Sequence, residues 1–374
     1  HRKPMLTRPP NLRAVLRWFW IRLLAASGML RWAQWQLARR NAVVVLTFHR
    51  VLSDDECRRT NSPAGMIVRQ RTFEQLLGYV SSRFQITNVD GQSVPAAGAG
   101  LRFVFTFDDG WSDNCNRAAP LARQYDVPLT IFLCPDLLGR PQPFWPEKMS
   151  ALWRQLQQYG NGETQKKCLA VMRGIVPDFA GESLLTSETI IERMKQLAAN
   201  ERNRLIGSLE AILAQSPAPP FDSDGDACMT WDEVLQLRHG GVEFGSHTST
   251  HEILPNVAPA VAVDEIVRSR SAIQEKLGKC AWFSYPNGSW SPEVRGAVAG
   301  AGYQFAFTNR VGAWLKETDP FTIPRVNIWE GSVVDLRNRF SGATFRYAAI
   351  WRAYRALPSR RGSASASNLR QTRP

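Results

Sequence analysis

Short runs of β-branched and aromatic residues recur along this chain, and several are apolar at almost every position. Eight stand out: "VVVLTF" (43–48), "FQITNV" (84–89), "RFVFTF" (102–107), "LTIFLC" (129–134), "VEFGS" (242–246), "AWFSY" (281–285), "YQFAFT" (303–308) and "IPRVNI" (323–328). A strand with one wet face alternates apolar and polar residues. Parallel strands covered by helices on both sides do not, and these runs read that way. Helix starts fall between them: "TWDE" (230–233) is a capping box with Thr230 at N-cap and Glu233 at N3, and "SPEV" (291–294) puts Ser291 at N-cap and Pro292 at N1. The fold class is therefore α/β, a deformed (β/α) barrel of seven to eight strands. Between the fourth and fifth strands, residues 135–229 carry no good strand. "EKMSALWRQLQQY" and "ETIIERMKQLAANERNRLIGSLEAILAQ" look helical there and "SPAPPFDSDGD" closes the stretch as a loop, so it is a helical insertion on the barrel rim.

Three regions follow: a basic, Trp-rich helical segment over 1–41, the barrel with its insertion over 42–345, and a basic C-terminal helix with a disordered tail over 346–374. The tail reading rests on "SRRGSASASNLRQTRP", which lacks apolar content. The formal net charge of +13 belongs to the ends. Residues 1–40 hold nine Lys/Arg and residues 341–374 seven Arg, with no Asp or Glu in either, so residues 41–340 come to −3. That count gives no reason to expect a basic groove on the barrel, and no nucleic-acid partner is expected. The six cysteines (57, 115, 134, 168, 228, 280) form no CxxC pair and read as separate thiols, which favours a reducing compartment.

No secretory signal is visible in the sequence. In "LRAVLRWFWIRLLAASGMLRWAQWQLARR" (12–40), Arg17 and Arg22 interrupt an apolar stretch that is in any case too short to span a bilayer. Projected as one helix, Arg13, Arg17 and Arg31 share one side and Arg22 falls opposite. The segment is expected either to lie on an anionic membrane surface or to pack on the domain with its arginines in solvent. The expected location is cytoplasmic, or peripheral on the inner face of the membrane.

Chemistry in such barrels sits at the C-terminal strand ends. The third strand ends in "TFDDGWSDN" (106–114), the fifth runs into "SHTSTHEIL", the first ends at His49, the sixth in "SYPNGSW", and the last carries Arg325. Asp-Asp-Gly taken alone is more often a turn, and two histidines four residues apart are as often structural as ligating. At one end of one barrel they form a constellation. Two neutral imidazoles and one carboxylate suit Zn²⁺ or a similar divalent ion with positions left open, while the second carboxylate serves as a general base. Strand alternation gives Asp108 and Asp109 different outlooks, as such a division of labour needs.

"TFDDG" (106–110) and "HTSTH" (247–251) resemble the first two motifs of the polysaccharide deacetylase family, carbohydrate esterase family 4. "VLTFHRV" (45–51) and "TWDEVLQLRHGGVEFGSHTSTH" are similar to the branch that acts in exopolysaccharide and cell-envelope pathways, and the resemblance spans roughly 42–330. It implies Asp108 as the base, with Asp109, His247 and His251 holding a divalent cation, Zn²⁺ first and Co²⁺ or Ni²⁺ as alternatives. It implies an acetylated saccharide as substrate and a backbone N–H around Tyr285–Asn287 helping to hold an oxyanion. The third motif departs from the family: Ser284 stands where an arginine usually steadies the base, and Arg325 is the candidate replacement. No histidine follows His251, so the family's usual general acid is missing. His49 is the candidate in its place, its alternative being a satisfied histidine that only shapes the pocket. Trp111 and Trp290 are candidates for stacking on sugar rings, or else rim packing. His239 suits a helix C-terminus.

The expected activity is metal-dependent hydrolysis of a linear, non-peptide amide: removal of acetyl, N-acetyl first, from a glycan or lipid-linked saccharide. The alternatives are an inactive carbohydrate-binding member of the same fold and a hydrolase of small non-carbohydrate amides.

Overall fold

The computed structural model describes residues 12–89, 98, 100–140, 144–175, 186–215 and 226–357. The C-terminal tail expected from 359 onward and most of the "SPAPPFDSDGD" loop lie outside the described residues. All eight expected strands form: β1 (Val43–Phe48), β2 (Gln85–Ile86), β3 (Arg102–Phe107), β4 (Leu129–Leu133), β5 (Glu243–Ser246), β6 (Trp282–Ser284), β7 (Phe305–Phe307) and β8 (Val326–Asn327). They pair in parallel in the order β8-β1-β3-β4-β5-β6-β7. β2 is a two-residue stub against the start of β3, so β1 and β3 are direct neighbours. The barrel draws together through one irregular segment. Ile323 bridges Phe307 in β7, and three residues later Val326 pairs with Leu46 in β1.

Register explains why this sheet has two apolar faces. Val43, Val45, Val104, Phe132, Trp282, Phe307, Trp314 and Ile323 make one cluster inside the barrel. Their strand neighbours, among them Val44, Leu46, Phe48, Phe103, Phe105 and Phe107, pack outward under the helices. Parallel pairing keeps registered residues on the same face. Phe132 is registered with Gly245, and the space a Gly245 Cβ would need is taken by the Phe132 ring at 2.7 Å. Glycine is required at that inner position by close approach.

Helices α1 (Leu12–Ala26), α2 (Met29–Ala38) and α3 (Gln70–Ser81) precede β3 in the chain. The N-terminal segment is two helices and not one, because Gly28 takes a left-handed conformation (φ 77°). Arg31 therefore does not continue the face of Arg13 and Arg17, which corrects the single-helix projection.

The insertion between β4 and β5 is helical as expected. It holds α4 (Trp145–Tyr159), α5 (Gly162–Ile175), α6 (Ser187–Met194) and α7 (Ala199–Leu213), around its own core of Met149, Leu152, Cys168, Ile190, Leu205 and Leu209 among others. The long "ETII…ILAQ" pattern splits into α6 and α7 at residues 195–198, where Ala198 takes an extended conformation and Glu201 reaches back to its N–H. Then come α8 (Trp231–His239), α9 (Pro259–Leu277) and α10 (Pro292–Gly300). The capping box at Thr230–Glu233 and the Ser291 cap both form. All six cysteines are free thiols.

One buried cation fastens the insertion to the barrel. Arg50 donates from Nε to Asp113 at 2.9 Å, and from Nη1 to Thr60, Ser62 and Asp226, while its guanidinium lies 4.3 Å over the Trp111 ring. Ser62 donates its hydroxyl hydrogen bond to Glu147 at the start of the insertion, and Asp226 stands at the insertion's end. Burial alone would lower the Arg50 pKa; Asp113 and Asp226 outweigh it and raise it. Removing one member of such a network leaves uncompensated buried charge. Arg50→Met is expected to lower the unfolding free energy by about 3–5 kcal/mol, read from urea denaturation of the full chain; a loss within the error of an exposed substitution would contradict this role.

Candidate active site

The inner face of the barrel delivers the site. Val45 and Thr47 lead to His49, Val104 and Thr106 lead to Asp108, Gly245 leads to His247, Phe307 leads to Asn309, and Ile323 leads to Arg325. Each polar residue sits two positions beyond an inward neighbour, so strand alternation carries it to the mouth of the barrel. Asp109 has the opposite parity, and reaches the same place by a left-handed turn, with Asp109 and Gly110 both at φ 76°. Thr248, His251 and Asn287 also have positive φ (65°, 65° and 57°). A β-branched residue is rarely found there, so the strain gathers around the site. The turn is pinned by the exit of the insertion, where Met229 N–H donates to Gly110 O and Ser112 N–H to Ala227 O, both at 2.9 Å.

The two aspartates have different partners. Asp108 is gripped in bidentate fashion by Arg325, Nη1 to Oδ1 at 2.8 Å and Nη2 to Oδ2 at 2.7 Å, with both side chains essentially without solvent. Arg325 is itself held by Thr308 O and Asn309 Oδ1. Burial would raise the Asp108 pKa, but Arg325, then His247, outweigh it and hold the carboxyl well below its ordinary range. Asp109 accepts from the Trp111 indole N–H on Oδ2 at 3.0 Å. Its Oδ1 is buried with no hydrogen-bond partner, 3.5 Å from His247 Nε2 and 3.4 Å from His251 Nε2.

These three atoms fit a cation. His247 Nδ1 lies 2.7 Å from Ser284 O, which makes it the N–H donor and leaves the Nε2 lone pair aimed at Asp109. Burial first of all drives His247 down to about 4 and His251 down to about 3, so both rings are neutral near pH 7. Two lone pairs and an orphaned carboxylate oxygen thus converge on one point. A tetrahedral site with bonds of about 2.1 Å has ligand atoms about 3.4 Å apart, close to the spacing of Asp109 Oδ1 from each imidazole nitrogen here. Asp109, His247 and His251 form the candidate metal centre among the described residues.

Asp108, Asp109, His247, His251, His49 and Asn287 all line one cavity of about 310 Å³. The insertion closes it with Trp145, Glu147, Ile191 and Lys195 among others. That volume is at the small end of ligand pockets.

Three expectations are corrected. Trp111 is fully buried, spent on Asp109 and covered by Arg50, so it offers no ring to a sugar. Trp290 is half-buried against the core and does not line the cavity. Tyr285 is also fully buried: its hydroxyl donates to Phe321 O and its N–H to Phe307 O, both at 3.0 Å, so neither reaches substrate. Pro286 has no N–H, which leaves Asn287 as the backbone donor in that stretch. His239 ends α8, exposed, as expected.

Glu147 was not foreseen. It occupies the third position of α4, where an acidic residue ordinarily faces water near the helix N-terminus. Here it has no solvent exposure. Oε1 accepts from Ser62 at 3.0 Å, and Oε2 is without a partner. Burial, then Asp109, push its pKa up to about 8 against the pull of Arg50. The signal available was "PFWPEK", a glutamate set among large apolar residues and prolines.

Arg325→Met tests the division between the aspartates. Burial then dominates Asp108, its pKa rises, and the acid limb of the pH–rate profile moves to higher pH. The rate at pH 7 is expected to fall about 10²-fold with bound metal unchanged; an unaltered profile would remove Arg325 from the mechanism.

Residues 206–306, a little over a quarter of the chain, match the profile of the polysaccharide deacetylase family. That segment contains the HTSTH motif but not TFDDG, which lies on the other side of the insertion. Curated proteins gave no match. Among solved structures the chain is similar to the deacetylase PplD of Streptococcus pyogenes, at 16% identity over 79% of this chain and 96% of that one, with a TM-score of 0.49. It is similar to BC0361, a polysaccharide deacetylase from Bacillus cereus, at 14% identity over 79% and 67%, with a TM-score of 0.49. It is also similar to IcaB from Ammonifex degensii, at 16% identity over 78% and 93%, with a TM-score of 0.47. The architecture rests on the chain's own sheet. The comparisons thus place a polysaccharide deacetylase match on residues 206–306, the segment that carries HTSTH.

Proposed function

We propose that the protein hydrolyses an N-acetyl group on a glycan or lipid-linked saccharide, with Asp108 as general base and a divalent cation, Zn²⁺ foremost, held by Asp109, His247 and His251. The family sets the reaction class, carbohydrate deacetylation by hydrolysis. The observation that carries the finer reading is the contrast between two adjacent carboxylates, one saturated by Arg325 and one left open toward two neutral imidazoles.

A cation held there supplies Lewis acidity, polarising the acetyl carbonyl and making the attacking water more acidic. Asp108, kept ionised by Arg325, takes the water's proton. Arg325 also fixes the carboxylate plane, so the base does not swing onto the cation site. The N–H of Asn287 is the proposed donor to the developing oxyanion. Collapse to acetate breaks the C–N bond, and the departing amine needs a proton. His49 and Glu147 both line the cavity, and each has a buried atom without a partner, Nδ1 and Oε2. We assign the proton to Glu147, whose carboxyl keeps it up to about pH 8.

The test is acetate release from an acetylated oligosaccharide. Asp108→Asn is expected to keep stoichiometric metal and lose release by about 10²-fold or more; full activity in that variant would sink the reading. Glu147 donates only when protonated, so the wild-type rate is expected to fall as pH rises through about 8. Glu147→Gln should abolish that limb and slow amide cleavage, yet spare an activated aryl acetate, whose leaving group needs no proton. Equal losses on both substrates would assign Glu147 to structure, and an unaffected amide rate would return the role to His49.

A further inference from the structure

Helix α1 faces the wrong way for a soluble surface helix. Leu12, Val15, Leu16, Phe19, Trp20 and Leu23 recur at the helical period and are all exposed, Leu12 at 72% and Phe19 at 67%. The opposite side carries Ile21 and Leu24, which are buried on the domain. On α2 the inner side is Leu30, Ala33 and Leu37, while Trp32 and Trp35 are 40% and 50% exposed. Eight large apolar side chains therefore stand in solvent within 24 residues. Monomeric soluble proteins do not ordinarily leave so continuous an apolar stripe uncovered.

Charge says what covers it. From Leu12 to Arg40 the chain has six arginines and no acidic residue. On α1, Arg13 borders the stripe on one side and Arg22 borders it on the other, both exposed. Arg22 and Arg39 lie over the Trp18 and Trp35 rings at 5.7 and 4.8 Å. The last helical segment meets α2 through the Trp32–Tyr354 edge contact and adds exposed Arg352 and Arg355. An apolar stripe flanked by arginines, with tryptophans at its margin, matches the layered chemistry of a bilayer surface: acyl chains below, anionic headgroups beside. A protein partner would call for mixed charge at the rim. No helix among the described residues is long and apolar enough to cross a membrane, so the geometry is that of lying on one.

We propose that α1 and α2 form a membrane-docking face that lays the protein on an anionic lipid surface, with the 12-15-16-19-20-23 stripe immersed and the arginines on the headgroups. Arg22, which on a single-helix projection spoils the amphipathic pattern, becomes the second edge of the stripe. The face is tied to the mouth side of the barrel: Arg17 donates to Gly331 O at 3.2 Å, four residues beyond Asn327, which lines the cavity. Docking is independent of catalysis and stands whether or not the deacetylase reading does.

The experiment is flotation of the full chain with vesicles of phosphatidylcholine alone or with 30% phosphatidylglycerol, at low and high salt, with tryptophan emission followed. Binding to the anionic vesicles with a blue shift, weakened at least about tenfold by 0.5 M salt, is expected. Phe19→Ser with Trp20→Ser should cut partitioning at least about tenfold while leaving the thermal midpoint in place, since both side chains are exposed. Arg13→Glu with Arg22→Glu should remove the preference for anionic lipid. No binding to anionic vesicles, or unchanged binding by the Phe19/Trp20 variant, would overturn the proposal. So would self-association in sedimentation that the same variant abolishes without any vesicle binding; the face would then be a contact between copies.

Discussion

The site depends on one buried ion pair. A carboxylate at the inner end of β3 would lose its charge to burial, and a guanidinium in the barrel's closing segment prevents that. Arg325 makes two short bonds to Asp108 and has both of its own flanks held, by Thr308 and Asn309 from the end of β7. Those contacts also join β7, β8 and β3 at the point where regular strand pairing gives out. A buried pair of this kind is weak evidence of stability, since a hydrophobic replacement can be as good. Its use is electrostatic: it saturates one aspartate and leaves the neighbouring one open.

Most of this was legible in the sequence because two periodicities carry it. Eight apolar runs gave eight strands, and alternation by two carried His49, Asp108, His247 and Arg325 to a common mouth. Asp109 needed more than alternation. Its parity is wrong for the inner face, and only the left-handed turn at Asp109 and Gly110 brings it back, a conformation for which the Gly after Asp-Asp is the sole local hint. Ser284 without the family's arginine pointed to a replacement from elsewhere, and Arg325 stands in bonding contact with Asp108.

What failed did so for one physical reason: exposure of an aromatic cannot be read from its type. Trp111 looked like a sugar platform and Tyr285 stood in the stretch expected to hold an oxyanion, yet both are core residues whose polar ends are spent, on Asp109 and Phe321 respectively. Glu147 failed in the other direction, since a glutamate in the first turn of a helix is usually solvated. It is buried because the insertion folds its first turn against the barrel, and the Arg50 network holds that turn through Ser62. The same tertiary docking explains the N-terminus, where the sequence showed apolar content and arginines but not which side of α1 the barrel would take. Ile21 and Leu24 took the inner side, and the larger stripe was left outside.

The insertion thus does more than cap the rim. It roofs the cavity with Trp145 and Glu147, and its exit segment at 227–229 pins the loop that turns Asp109 inward. The central claim is the separation of the two aspartates, and anomalous diffraction at the zinc edge from zinc-soaked crystals tests it most directly. The account predicts one peak bonded to Asp109 Oδ1, His247 Nε2 and His251 Nε2, with Asp108 still paired to Arg325. No peak at that triad, or a zinc ion held by Asp108 with Arg325 displaced, would contradict it.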